Sequence, residues 1–357
     1  MEIVVTEAAA DRRRKKPESA EGLGFGNHFS DHMFLMEYAG GKGWHDPRIV
    51  PYGPIPILPA AMVLHYAQEI FEGLKAYYAQ DGNVCLFRPD RNAERFNRSA
   101  ARMCMPQIPV ADQLAAFREL LRVDREWIPR ARGASLYIRP AMIATEPTLG
   151  VRPASEYLFF VITGPVGAYY ARGFEPVRIL VEEKYVRAAK GGLGEAKAGA
   201  NYAASLLAAK TAKAAGFDQV LWLDAERRQF VEEVGTMNIL FVLRGELVTP
   251  PLSGSILPGV TRDSVLVLAR EWGIPVAERP VPIEEIVAAA ADGTLSEAFG
   301  AGTAAVISPV GAFSYRGREV RVNGGRVGEL SRKLHREITG IQYGEIEDRH
   351  RWVCRVE

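Results

Sequence analysis

The chain has little of what would tie it to a membrane, a nucleic acid or an oxidising compartment. No stretch approaches the ~20 consecutive apolar residues that span a bilayer. A secretory leader places charge ahead of an apolar core, whereas here a short apolar start precedes the charge. The three cysteines, Cys85, Cys104 and Cys354, are odd in number and far apart. That excludes a disulfide framework and predicts a reducing, cytoplasmic setting. No cysteine lies near a histidine at metal-ligand spacing, and His65-Tyr66-Ala67-Gln68-Glu69 inverts a zinc-helix motif, so no metal site is expected. Charge of one sign is lacking too: 44 basic side chains oppose 43 acidic ones, and the net +1 favours neither nucleic acid nor an anionic surface. The single cationic run, Arg12-Arg13-Arg14-Lys15-Lys16, is flanked by Asp11, Glu18 and Glu21 and holds no aromatic. It predicts a solvated, flexible tail over residues 1–20. Repeats and low-complexity tracts are absent.

What remains is ordinary globular material, 357 residues at 48% hydrophobic and 24% charged, enough for two domains with their own cores. In the first half, 33–38, 75–78, 84–87, 135–144 and 156–163 read as strands, and 92–103 and 114–127 as helices. In the second, 177–181, 219–223 and 238–243 read as strands, and 200–215, 261–272 and 329–343 as helices. The Gly- and Pro-rich run Gly164–Gly173 marks the passage between halves. The expected organisation is an α/β domain over 21–168, a linker over 169–182 and a larger α/β domain over 183–357. A cleft between two such domains is a common place for a cofactor.

The chemistry is concentrated around Lys197. Gly191-Gly192-Leu193-Gly194-Glu195-Ala196-Lys197-Ala198-Gly199-Ala200-Asn201-Tyr202 surrounds one amine with glycines and alanines, as a bulky cofactor bonded to it would require. A flexible surface loop carrying a solvated lysine would read the same way. Lys197 does not directly follow glycine and no Ser or Thr follows it, so the P-loop pattern fails. A pyridoxal phosphate site needs an acid at the ring nitrogen and a phosphate cradle besides the lysine. Glu233, where a strand meets the turn Gly235-Thr236, is the candidate acid, although an exposed acid pair fits those residues equally. Ile256–Arg262 leads into a helix whose N–H groups favour an anion. Gly300-Ala301-Gly302-Thr303-Ala304 follows a strand and offers N–H groups with a hydroxyl, and Arg95 offers a cation.

Together these segments resemble the signature blocks of branched-chain aminotransferases, in order. The blocks are Gly191–Tyr202, Glu232–Asn238, Leu257–Arg262 and Phe299–Ala304. Upstream, Phe71–Ala76, Leu86–Pro89, Leu136–Pro140, Glu146–Val151 and Pro165–Tyr169 are similar to the same family, so the likeness covers residues 22 to 345. It implies the two-domain α/β (α+β) fold type IV of pyridoxal phosphate enzymes, as in D-amino acid aminotransferase, with the cofactor in the interdomain cleft and a homodimeric assembly.

The resemblance also implies roles. Lys197 is the Schiff-base lysine and proton shuttle, Glu233 the partner of the ring nitrogen, and Tyr202 the donor to the ring oxygen. Arg95, the backbone of Val260 and Thr261, and Thr303 hold the phosphate, with Thr236 near the ring. Phe25, Tyr66, Phe71, Tyr137 and Tyr169 form an apolar substrate pocket, to which a partner subunit adds Leu149 and Val151. The N–H groups of Thr303 and Ala304 meet the substrate α-carboxylate, and Arg139 the γ-carboxylate of glutamate. A movable arginine beside tyrosines lets one pocket take leucine and glutamate in turn. The implied activity is reversible, ping-pong transfer of an amino group between L-leucine, L-isoleucine or L-valine and 2-oxoglutarate. A D-amino acid aminotransferase or an aminodeoxychorismate lyase of the same fold is the alternative, and a catalytically dead binding protein a third. The Tyr-Ile-Arg and Gly-Thr-Ala blocks favour the branched-chain subgroup. The chain departs from some animal members, whose C-x-x-C redox pair is here Ala305-Val306-Ile307-Ser308.

Overall fold

A computed structural model describes residues 1–20, 22–167 and 173–356. The elements of the first half are β1 (Val4–Val5), β2 (His32–Ala39), β3 (Gly43–Pro51), α1 (Met62–Tyr66), β4 (Glu69–Phe71), β5 (Leu74–Tyr78), β6 (Val84–Phe87), α2 (Pro89–Arg102), α3 (Val110–Val123), β7 (Ser135–Ala144) and β8 (Glu156–Val166). Next come β9 (Val177–Glu182), α4 (Gly199–Ala214), β10 (Gln219–Leu223), β11 (Val231–Val234), β12 (Met237–Leu243), β13 (Glu246–Thr249), α5 (Val260–Glu271) and β14 (Val276–Glu278). The chain ends with α6 (Ile283–Ala291), β15 (Leu295–Gly302), β16 (Val306–Tyr315), β17 (Arg318–Arg321), α7 (Glu329–Gln342) and β18 (Val353–Val356). Two compact units result: Met1–Ala171 with Ala196–Gly199 and Gly340–Glu357, and Arg172–Glu195 with Ala200–Thr339.

The first unit is a sheet in the order β1-β3-β2-β8-β7-β5-β6-β18, with β4 added beside β7. Strand β8 is long because Glu156–Val166 is rich in β-branched and aromatic residues that pack on a pleated surface, and β7 pairs with it along its whole length. One face is covered by α2 and α3, whose Phe96 and Phe117 are buried with Phe34 and Phe159 of the sheet. Each such ring contributes about 1.5–3 kcal/mol by leaving water. Helix α2 opens three residues before the expected Asn92: Pro89 is pre-set for the first turn, and Arg88 ahead of it takes a left-handed φ of 50°.

Four expectations of organisation are redrawn. The N-terminal stretch is attached: β1 pairs in parallel with β3, the Ala8 amide donates to His32 Nε2 at 2.8 Å, and the Arg14 amide donates to Asp31 at 2.7 Å. Its charge run hides the short apolar Ile3 and Val5 that seat it on the core. Gly164, read as the start of a linker, lies inside β8, where a Cβ would sit 1.9 Å from the His28 carbonyl oxygen. Val177–Val181, read as a strand, is part of β9 as expected, so the linker bounds 169–182 take in a strand of the second unit. The last residues return to the first unit, β18 pairing antiparallel with β6.

In the second unit the order is β11-β10-β9-β16-β15-β12-β13-β14, with β17 beside β16. Because β11 also pairs with β12, six strands come back on themselves and close a ring, which removes their edges. Helix α4 packs through Ala208 and Ala212 against Val220 and Trp222, so small residues let the helix lie close to the sheet. It ends at Gly216, whose φ of 83° no other residue type adopts as readily.

Candidate active site

Lys197 lies in the four-residue segment that belongs with the first unit while the chain on either side belongs to the second. Its main chain is held at both polar groups. The Phe71 amide donates to the Lys197 carbonyl at 3.0 Å, and the Lys197 amide donates to Ser99 Oγ at 2.9 Å. A bridge between Ile70 and Ala198 extends this pairing, and Ala196 and Ala198 are buried. The half-buried side chain carries its amine 4.7 Å from the Phe71 ring centroid.

Strand β4 runs into Glu72, a buried carboxylate that accepts from Arg95 Nε at 2.6 Å and Nη2 at 3.0 Å, from Asn92 at 2.9 Å and from the Gly73 amide at 3.0 Å. Burial alone would raise the Glu72 pKa. The Arg95 guanidinium, with Lys197 and Asn92, outweighs burial and holds it below the ordinary value. Asn92, Arg95 and Ser99 recur at helical spacing, so one stripe of α2 grips both the Glu72 carboxylate and the lysine segment.

The expected substrate residues of this unit form a connected row. Phe25 meets Tyr137 edge-on at 4.8 Å, and Arg139 Nη2 donates to the Tyr137 hydroxyl at 3.0 Å. The Arg139 guanidinium carbon stands 4.7 Å from the Phe71 centroid, which returns to Lys197. Arg139 Nε is buried and donates to nothing, an orphan that suits an incoming carboxylate. Gly73 is fixed by this row, since a Cβ there would fall 1.9 Å from the Tyr137 hydroxyl. Tyr66 stands apart: it is exposed, and its hydroxyl donates to the Leu149 carbonyl. Leu149 and Val151 are 62% and 85% exposed. Tyr169 lies outside the described residues.

In the second unit Glu233 is central. It is 3% exposed and lies across from Asn238 in the β11–β12 pair. Its Oε1 accepts from Asn238 Nδ2 at 3.0 Å and from the Leu257 amide at 3.2 Å, while Oε2 lies 2.6 Å from Arg187 Nε. Leu257 leads to α5, which starts at Gly259 with no capping side chain and so presents the Val260 and Thr261 end of the helix. Gly259 packs on Asn238, where a Cβ would sit 2.0 Å from Oδ1. Thr236 is exposed in the β11–β12 turn, beside the buried Gly235. Gly300 and Gly302 lie within β15 rather than after it, because Met237 packs against them. Thr303 and Ala304 form the β15–β16 turn, followed by Val306 at φ 61°, a conformation costing a β-branched residue about 1–3 kcal/mol. Tyr202 is half-buried on the first turn of α4, with Ser205 Oγ donating to its carbonyl at 2.7 Å.

Residues 69–313 match the class IV amino-transferase family. The chain is 52% identical over 344 residues to a Bacillus subtilis protein named branched-chain-amino-acid aminotransferase 2, covering 96% of this chain and 94% of that one. The chain belongs to the class IV aminotransferases. Its fold matches the crystal structure of the Escherichia coli branched-chain amino acid aminotransferase with a TM-score of 0.76 at 28% identity, over 92% of this chain and 99% of that one. The branched-chain amino acid aminotransferase from Thermobaculum terrenum, in its PLP-bound holo-form, matches at 0.74 and 26% identity, over 91% and 98%.

Three residues of this class IV aminotransferase escaped the sequence reading. Glu72 and Ser99 act through residues already singled out, and the signal for them was the polar spacing 92, 95, 99 within an otherwise apolar helix face. Arg187 had no local signal, since only the folded chain brings it to Glu233. Two glycines of the lysine loop also make room for the protein itself. A Cβ on Gly194 would fall 2.2 Å from the Ser255 carbonyl oxygen, and one on Gly199 1.8 Å from Glu69 Oε1. Gly191, by contrast, has nothing within 4 Å of an added Cβ and takes a φ of 80°.

Proposed function

We propose that this aminotransferase exchanges the amino group of L-leucine, L-isoleucine or L-valine with 2-oxoglutarate, using pyridoxal 5'-phosphate. The observation that carries the reading is the fixation of the Lys197 main chain at both its amide and its carbonyl, which leaves the half-buried amine as the part that moves. The near-full-length likeness to a branched-chain-amino-acid aminotransferase supports this substrate class over a D-amino acid or an aminodeoxychorismate.

The donor set suits the cofactor. A lysine amine, a buried carboxylate countered by an arginine, and a helix start without a side-chain cap are the three chemistries it needs. Lys197, Glu233, Tyr202 and Thr236 would hold the ring, and Arg95, Val260, Thr261 and Thr303 the phosphate. When bound, the cofactor carries the amino group and accepts the electron pair left when the substrate Cα loses its proton. Lys197 Nζ would take the Cα proton from the amino donor in the first half-reaction and deliver a proton to the Cα of the new amino acid in the second, a transfer that a positioned base speeds by about 10²–10⁴-fold. Glu233 keeps a proton on the ring nitrogen. Phe25, Phe71, Tyr137 and Tyr169 exclude water from an aliphatic side chain, with Tyr66 at the margin. The Thr303 and Ala304 amides bind the α-carboxylate, and Arg139 pairs with the γ-carboxylate of the second substrate.

The reading includes a homodimer. On the first unit Leu58, Leu64, Leu149 and Val151 are exposed apolar side chains, and on the second so are Leu206 and Leu207 of α4. A second copy covers such surface, with Leu149 and Val151 entering its substrate pocket. It also includes a cytoplasmic setting, supported by three free cysteines. Among the described residues no helix is long and apolar enough to cross a membrane.

The purified protein is expected to be yellow, and borohydride is expected to bleach it and fix the cofactor to Lys197. Leucine with 2-oxoglutarate yields glutamate, and Lys197→Ala yields none. A colourless protein, label on another lysine, or turnover of D-alanine alone would overturn the assignment.

A further inference from the structure

We propose that Arg187 is the positioning residue that keeps Glu233 ionised and aimed, and that it ties the lysine loop and the approach to α5 to the same carboxylate. The proposal rests on the reading of Glu233 as the partner of the ring nitrogen.

Arg187 lies between β9 and the lysine loop and is 9% exposed. Its Nε stands 2.6 Å from Glu233 Oε2, a close ion contact whose N–H is not aligned for a hydrogen bond. Its Nη2 donates to the Gly194 carbonyl at 3.0 Å and also to the Ser255 carbonyl. Those two backbones are already pressed together at Gly194. One guanidinium therefore joins the loop that delivers Lys197, the segment that runs into α5, and the carboxylate of β11. The planar fork serves this better than a point charge, because separate N–H groups reach separate acceptors.

Glu233 is immobilised through two neutral donors on Oε1 and a cation on Oε2. Remove the cation, and a carboxylate buried this deeply takes up a proton to escape its desolvation cost. A protonated acid can no longer hold a proton on a pyridine nitrogen. Its neighbour makes the contrast. Glu232, on the opposite face of the strand, accepts a hydrogen bond from the Ser255 hydroxyl on Oε1 and none on Oε2, and burial pushes its carboxyl up despite Ser255 and the more distant charges of Arg187 and Arg228. Of the adjacent pair, Arg187 contacts Glu233, and that selects which glutamate serves the ring.

The test compares wild type, Arg187→Gln, Arg187→Lys and Glu233→Gln. Each is loaded with the natural cofactor and with an analogue carrying carbon in place of the ring nitrogen. The readouts are single-turnover loss of the leucine Cα proton, leucine KM, and cofactor affinity by absorbance titration. With the natural cofactor, Arg187→Gln is expected to slow proton loss by about 100-fold and Arg187→Lys by about tenfold. Leucine KM should stay within about threefold, and cofactor affinity should fall about tenfold in Arg187→Gln. With the carbon analogue the variants should match wild type in rate, because no ring nitrogen remains for Glu233 to serve. A slowing that persists undiminished with the analogue overturns the proposal, as does Arg187→Gln at wild-type rate beside a slow Glu233→Gln. If Arg187→Gln does not fold, Arg187→Lys against the two cofactors decides by the same criterion. Glu233→Gln at wild-type rate instead removes the underlying reading of Glu233.

Discussion

The Phe71 amide donates to the Lys197 carbonyl at 3.0 Å, so the residue beneath the lysine amine is also the one that fixes its backbone. The same short strand continues into Glu72, which orients Arg95 on α2. Backbone anchoring, a ring beneath the amine and an oriented cation thus come from two consecutive positions, Phe71 and Glu72. Substitutions in this stretch are expected to change several properties at once, and the measurements below separate them.

Glu72→Gln should destabilise the protein by about 3–5 kcal/mol at neutral pH, because it leaves Arg95 buried without its counter-charge. The sign follows from the folded carboxyl being held below its usual 4.5. Stability from such a group is present above the unfolded pKa and is lost as pH falls through the folded one. Urea unfolding at pH 7 and below pH 4 should show the gap between wild type and variant closing in acid. A gap that stays constant would mean the pair adds no ionic stability.

Gly194→Ala should cost about 1–3 kcal/mol, since its Cβ would meet Ser255 backbone atoms that have nowhere to go. The three nearest are at 2.2, 2.4 and 2.5 Å. Gly41→Ala is the matched control, with nothing within 4 Å of the added carbon. Thermal unfolding of the two variants should separate them clearly. An equal Tm would show that the lysine loop yields more easily than its packing indicates.

Legibility in the sequence followed side-chain size. Strands β6, β7 and β10 coincide with their expected bounds because their mostly apolar runs are short and bounded by polar or turn residues. The end of strand β15 was misplaced because it is Gly300-Ala301-Gly302, small residues packed on Met237 and carrying no strand pattern of their own. Strand β1 is two residues long, and a charge run follows it. At the site, Lys197 and Glu233 stood out in local motifs. Arg187, Glu72 and Ser99 matter through pairings made only when distant segments meet, and periodicity does not encode those.

Lys75 is a buried cation on β5, across from Tyr137, and burial pulls its pKa down from 10.5 to about 8. Between those values the unfolded chain binds more protons than the folded one, so stability should rise with pH from about 8 to about 10.5. Lys75→Met should remove that rise and add about 1–3 kcal/mol at pH 7, where the wild type buries a charge. Chemical denaturation across pH 7 to 10.5 gives the answer. An unchanged slope would assign the pH dependence to another group.

Arg139 carries the sharpest prediction about specificity. The pocket must hold an aliphatic side chain in one half-reaction and a carboxylate in the other, and only an adaptable cation reconciles them. Arg139 has that character: one nitrogen donates to the Tyr137 hydroxyl, its plane lies near Phe71, and its Nε is buried without an acceptor. When a leucine side chain is present, the guanidinium can stay on the rings. On the proposed reading, an arriving γ-carboxylate would give Nε the acceptor it lacks. Arg139→Met keeps most of the apolar surface and removes the fork, so the two substrates should respond differently. KM for 2-oxoglutarate should rise about 10–100-fold, equivalent to about 1.5–3 kcal/mol for a hydrogen bond to a charged group. KM for leucine should move by about twofold or less, because no charge is recognised there. Arg139→Lys should recover little of the loss, since a point charge cannot stack and fork at once. Steady-state kinetics with each substrate varied in turn is sufficient. Equal losses for both substrates would make Arg139 a structural support of Tyr137 and return the question of the γ-carboxylate to other cations near the row, Lys75 first among them.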